Sequence, residues 1–95
     1  MRWSRAELHQ SSGLTPAGYE ILMLLAATPE HLLSRRELTE AVGASRQLVS
    51  KTLAGLERRG FVKRGRRHGE PVVRLSTRGW AFWSEVHGLH GLHEA

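Results

Sequence analysis

The chain has no cysteine among its 95 residues. That excludes disulfides, thiol nucleophiles, thiol redox sensing and cysteine-ligated zinc together. Long apolar runs are missing too. The longest, residues 21–27, falls far short of the roughly 20 apolar residues that cross a bilayer. Arg2 and Arg5 are followed by no apolar h-region, so the start does not read as a signal peptide and a cytoplasmic location is expected. Acidic residues are few, nine against fourteen lysines and arginines, for a formal net charge of +5. Such a chain is drawn to polyanions, nucleic acid first and acidic membrane surfaces second; with no spanning segment, no membrane partner is expected. Lysine itself is scarce, Lys51 and Lys63 only. The charge is therefore carried by arginine, which makes bidentate contacts to phosphate and guanine. Genomic base composition can also raise arginine content, so the placement of the charges says more than their type.

Catalytic patterns are thin as well. Glu20, Glu30, Glu37, Glu40 and Glu57 form no paired-carboxylate pattern. Serine and histidine occur without a local nucleophile motif, and there is no phosphate-binding glycine loop. No enzyme and no cofactor are expected. His87, His90 and His93 recur with a period of three, so neighbours lie about 60° apart on a helix. Gly88 and Gly91 work against that helix, and the segment reads as a histidine-rich tail and not as a metal site.

What is present is helical patterning followed by a change of period. Ser4 and Glu7 fit a capping box, with Trp3 and Leu8 as a hydrophobic staple, which predicts a short helix over residues 4–10 before the Ser11-Ser12-Gly13 linker. Thr15-Pro16 starts a central helix that carries Tyr19, Leu22, Met23, Leu25 and Ala26 and stops at Thr28-Pro29. Ser34-Arg35-Arg36-Glu37 is a second capping box, opening a helix to about Val42 with Leu38, Ala41 and Val42 inward and Gly43 at its left-handed end. Ser45 caps a third helix with Val49, Leu53 and Leu56 as its apolar stripe, running to about Arg59 and ended by Gly60. Phe61-Val62-Lys63-Arg64 and Val72-Val73-Arg74-Leu75 then read as two strands around the turn Gly65-Arg66-Arg67-His68-Gly69-Glu70, a β-hairpin. Ser76 or Thr77 caps a last helix holding Trp80, Phe82, Trp83 and Val86. The fold class is α+β, mainly α, divided into an N-terminal arm (1–13), one domain (14–86) and a flexible tail (87–95).

The second and third helices, joined through Gly43, form a helix-turn-helix. In that motif the outer face of the second member must stay polar, because it enters the major groove. Ser45, Arg46, Gln47, Ser50, Lys51 and the small Ala54 lie there, with Arg46 suited to guanine and Gln47 to adenine. Arg35, Arg64, Arg66, Arg67 and His68 complete the expected DNA-binding set. Arg66, Arg67 and His68 sit at the hairpin tip, where nothing in the fold calls for them.

Three segments carry a resemblance. They are Leu56-Glu57-Arg58-Arg59-Gly60-Phe61-Val62, the pair Arg66-Arg67, and Leu75-Ser76-Thr77-Arg78-Gly79. Together with the helix-turn-helix they resemble bacterial and archaeal winged-helix regulators, most of all the MarR-type group. The resemblance implies a winged helix-turn-helix: a three-helix core, a two-stranded hairpin wing and a C-terminal helix. It implies sequence-specific binding of double-stranded DNA by a transcription regulator, a repressor rather than an activator, with the third helix in the major groove and the wing on the minor groove or phosphates. Two departures stand out. MarR-type wings usually carry an aspartate before the paired arginines, and Arg64-Gly65 stands there instead, so the bracing of the wing is not implied. The chain is also shorter than typical members and lacks their long terminal helices, so no small-molecule effector is carried over. The apolar surface of Trp80, Phe82, Trp83 and Val86, with Trp3 and Leu8, exceeds what so small a core covers and points to a homodimer. Two other readings stay open: non-specific coating of chromosomal DNA or binding of RNA, and a winged-helix module that binds protein.

Overall fold

A computed structural model describes residues 14–88. The helix expected over residues 4–10 and the tail from residue 89 onward lie outside the described residues. In order, the chain forms α1 (Pro16–Ala27), β1 (Leu32–Ser34), α2 (Arg35–Val42), α3 (Arg46–Arg58), β2 (Val62–Arg67), β3 (Glu70–Leu75) and α4 (Thr77–His87). None of these helices is long and apolar enough to cross a membrane.

The helix starts follow the local chemistry of the sequence. Thr15 accepts from the Gly18 amide at 3.0 Å, with Pro16 at the first helical position. Ser34 and Glu37 form the full capping box: the Ser34 hydroxyl accepts from the Glu37 amide at 3.0 Å, and the Glu37 carboxylate accepts from the Ser34 amide at 2.9 Å. Ser45 caps α3 through the Leu48 amide. Gly43, with φ 71°, ends α2 in the left-handed region. At the end of α3 the Gly60 amide donates to the Glu57 carbonyl and the Phe61 amide to the Leu56 carbonyl, a Schellman closure in which Gly60 takes φ 79°.

The bond from the Ser34 amide, with a smaller contribution from the Ser34 hydroxyl, holds the Glu37 carboxyl below the usual carboxylate range. A group whose pKa falls on folding lends stability above its unfolded value and loses it as pH drops through the folded one. Acid titration of stability should therefore show native protein losing its advantage over Glu37→Gln below the ordinary carboxylate range. An advantage that persists to the lowest pH would show that the charge contributes nothing.

Ile21, Leu22 and Leu25 of α1, Leu38 of α2, and Val49, Leu53 and Leu56 of α3 meet Phe61, Val62, Val73, Leu75 and Trp83 in one core. Two inward assignments change. Ala41 is exposed, and Met23 points outward at 37% exposure while Ile21 is buried. The sheet has three strands, not two, in the order β1-β3-β2, all antiparallel. β1 pairs Leu32 with Arg74 and Ser34 with Val72, so the wing grows directly from the strand that leads into α2. The wing strands are longer than the sequence pattern indicates. They run through Gly65 and Arg67 to a two-residue turn, His68-Gly69, with φ 53° and 79°. Two positive φ values mark a type I′ turn, whose twist matches that of the flanking strands.

The joint between wing and α4 explains the Leu75-Ser76-Thr77-Arg78-Gly79 segment residue by residue. Ser76, and not Thr77, caps α4. Its hydroxyl donates to the Gly60 carbonyl at 2.6 Å and accepts from the Gly79 amide at 2.8 Å, while its own amide donates to the Phe61 carbonyl at 3.0 Å. Gly79 lies where any side chain would strike the Phe61 carbonyl oxygen.

The aromatic residues of α4 are largely spent within the chain. Trp83, expected on a dimer face, is only 7% exposed and packs 5.2 Å from Tyr19. Phe82 stacks on Phe61, and Trp80 lies against His31. Trp80, Phe82 and Val86 stay partly buried. His87, assigned from sequence to the tail, is the last residue of α4: its ring stacks on Trp83, bonds the Trp83 carbonyl and meets the Tyr19 hydroxyl at 3.0 Å. His90 and His93 lie outside the described residues.

Candidate nucleic-acid interface

The buried stripe of Val49, Leu53 and Leu56 turns the opposite side of α3 outward. Ser45, Arg46, Gln47, Ser50 and Lys51 are all exposed there, and Ala54 is half-buried. Beside this face stands the wing, in which every residue from Lys63 to Glu70 is exposed. A hollow of about 500 Å³ lies among α2, the start of α3 and the wing, lined by Arg35, Arg36, Thr39, Glu40, Arg46, Glu70 and Pro71.

The expected site residues divide by what they touch. Arg46, Gln47, Lys51 and His68 have no side-chain hydrogen bond or ion pair among the described residues, and Lys63 and Arg36, not foreseen as contacts, share that condition. Ser45 spends its hydroxyl oxygen on the α3 cap. Arg35 is half-buried and donates to the Ser50 hydroxyl, so it joins α2 to α3 and does not stand free. Arg64 is paired too: its Nη2 and Nε donate to one Glu57 oxygen at 2.6 and 2.9 Å. With both side chains about two-fifths exposed, this pair contributes at most about 1 kcal/mol. It fixes the base of the wing to the end of α3. Arg66 donates to the Gly69 carbonyl at 2.9 Å across the turn, and Arg67 reaches Glu30 at 3.2 Å. The tip arginines therefore have roles in the free protein, contrary to the expectation that the fold does not use them. The ion pairs of Arg64 and Arg67 tie the wing loosely to α3 and to Glu30, and being exposed they add little stability. Arg59 and Arg78 lie over the Phe61 ring, 5.0 and 5.9 Å from its centre.

Sequence periodicity missed Leu48, the most exposed large apolar residue among the described ones at 46%. It lies on α3 toward a groove of about 600 Å³ between α3 and the start of α1, with Leu14, Pro16 and Ala17 opposite and Lys51, Arg58 and Arg59 on the rim. A leucine inside a polar helix face was the available signal.

A three-helix core, a tight turn between α2 and α3, and a basic two-stranded wing are now in place, and the family model described as the MarR family matches residues 12–70. The chain belongs to the MarR family. A search of curated proteins finds no match. Among solved structures, the chain is similar to Sco3205, a MarR family transcriptional regulator from Streptomyces coelicolor in complex with DNA, at 24% identity and TM-score 0.78 over 87% of this chain and 54% of that one. It is similar to Sco5413 from the same organism at 24% identity and TM-score 0.76, over 84% of this chain and 56% of that one. A mutant MarR from E. coli complexed with operator DNA gives 22% identity and TM-score 0.75 over 90% of this chain and 61% of that one. At these identities the likeness is one of fold, and this MarR-family chain spans a little over half the length of those structures.

Proposed function

We propose that this protein binds double-stranded DNA in a sequence-dependent way and regulates transcription, with α3 in the major groove and the β2–β3 wing on the neighbouring minor groove or phosphates. One observation carries the reading: the exposed, largely unpaired face of Arg46, Gln47 and Lys51 stands beside an exposed wing bearing Lys63, Arg66, Arg67 and His68. An α-helix fits the major groove, and the ion pairs that now hold Arg67 and Arg64 are exposed, so phosphates can replace the carboxylates at little cost. A cytoplasmic protein follows from this role. Arg46 and Gln47 serve as base readers, Lys51 and the wing as phosphate contacts. The alternative of a protein-binding module is disfavoured by the charge of the face. The two DNA complexes in the same fold support the same assignment.

The test is salt-dependent binding to a selected duplex against competitor DNA. Each lost phosphate contact flattens the salt slope by roughly one unit. Arg66→Ala with Arg67→Ala should weaken binding to every sequence and reduce the slope by about two units. Unchanged binding at low and moderate salt would remove the wing from the interface. A specificity ratio near one would favour the chromosome-coating alternative.

A further inference from the structure

Three hydroxyl side chains in α2 and α3 can be compared. Thr39 donates back to the Arg35 carbonyl at 2.8 Å and Thr52 to the Leu48 carbonyl at 2.7 Å, the usual local bond of such residues in a helix. Ser50, on the outward face of α3, makes no such bond. Its oxygen instead accepts from Nη2 of Arg35, the first residue of α2, fifteen positions earlier in the chain. The capping box at Ser34 and Glu37 fixes the backbone at Arg35. The Arg35 Nε is buried without a partner of its own, and the side chain as a whole is half-buried against this joint.

We propose that Arg35 is a positioning residue for base reading, whose guanidinium holds the Ser50 hydroxyl so that it faces DNA chiefly as a hydrogen-bond donor. A serine hydroxyl has one proton and two lone pairs. A cationic donor on one lone pair draws density from the oxygen, which strengthens the O–H as a donor and weakens the remaining lone pair as an acceptor. With no carbonyl four residues back taking the proton, it is left available to the groove. In the major groove, guanine offers O6 and N7, adenine N7 and thymine O4 as acceptors, whereas cytosine offers only its amino donor. The base opposite Ser50 is then selected against cytosine. This inference rests on the DNA-binding reading above, and it gives Arg35 a role that counting arginines as phosphate contacts would miss.

The experiment is selection of bound duplexes from a random pool by the full chain, comparing native protein with Arg35→Met, Arg35→Lys, Ser50→Ala and the double variant Arg35→Met/Ser50→Ala. Far-ultraviolet circular dichroism checks that each is folded. The native profile should disfavour cytosine at one position of the site by roughly fivefold, the size of one net hydrogen bond. Arg35→Met should abolish that bias at that position and leave the profile elsewhere intact. Arg35→Lys should restore most of it, and in the Ser50→Ala background Arg35→Met should change the profile no further. A uniform loss of affinity with the profile preserved would overturn the proposal and return Arg35 to the phosphate backbone. The same profile change with and without Ser50 would overturn it as well. Absence of any sequence preference in the native protein would overturn the DNA-reading function itself, a result distinct from either.

Discussion

Replacing Gly79 by alanine is expected to destabilise the domain by on the order of 3 kcal/mol, the upper range for overpacking a filled site. For a domain of this size that lowers the melting temperature by more than about 10 °C. An added Cβ at Gly79 would sit 2.1 Å from the Phe61 carbonyl oxygen and 2.9 Å from Leu75 Cδ1. The first of these is backbone, so it has no rotamer in which to give way. Relief would require α4 to lift from the turn after α3. That movement would also stretch the bonds from Ser76 to Gly60 and Phe61, since Ser76 and Gly79 are tied to each other. Gly65→Ala is the matched control, because nothing lies within 4 Å of the new methyl and the residue is in ordinary strand conformation. Thermal unfolding followed by circular dichroism compares the two. Equal melting temperatures would mean that the contact between Gly79 and Phe61 is not tight in solution.

Trp83→Ala is expected to cost about 3–5 kcal/mol, the usual range for truncating a large buried aromatic. Trp83 is nearly enclosed within the single chain by Tyr19, His87 and the core behind them. Its loss should unfold most of the domain near physiological temperature and abolish DNA binding along with it. This outcome separates two ideas about α4. Were Trp83 the centre of a dimer contact, the variant would be a folded monomer at half the native mass. Of the α4 residues assigned to a dimer face, Trp80, Phe82 and Val86 are the ones left partly exposed. Light scattering beside the melting curve distinguishes a folded monomer from an unfolded chain.

The parts of the fold that were legible in the sequence are those made by near neighbours. Ser34 with Glu37, Ser45, Gly43 and Gly60 act within four or five residues, so residue type and spacing carry their roles. Strand β1 was not legible: three residues, Leu32–Ser34, are too few for a period, and their partner is β3 far along the chain. Met23 could not be told from Ile21 because α1 is apolar on most of its circumference, so periodicity does not say which residue faces out. The candidate site divides the same way. The outward face of α3 was readable as the complement of its buried stripe. Which arginines are occupied was not, because Glu57, Glu30 and Ser50 reach Arg64, Arg67 and Arg35 from other elements. Charge is a property of composition, whereas partnership is a property of the fold. Part of the apolar surface assigned to a dimer, Trp83 above all, is likewise taken up inside the chain, by ring contacts with Tyr19, His31 and Phe61.

The pairing of β1 with β3 also orders the steps of assembly. The β2–β3 hairpin joins neighbouring segments and closes on the microsecond scale. The ladder from Leu32 to Arg74 closes a loop of roughly forty residues, and the entropy of that closure must be met before its bonds form. Inside that loop lie α2, α3 and the β2–β3 hairpin. The pairing of β1 is therefore expected to follow the closure of the hairpin, because it carries the larger loop entropy. Ser34 belongs at once to the ladder and to the cap of α2, so a molecule that opens there loses the start of its helix and the root of its wing in a single event.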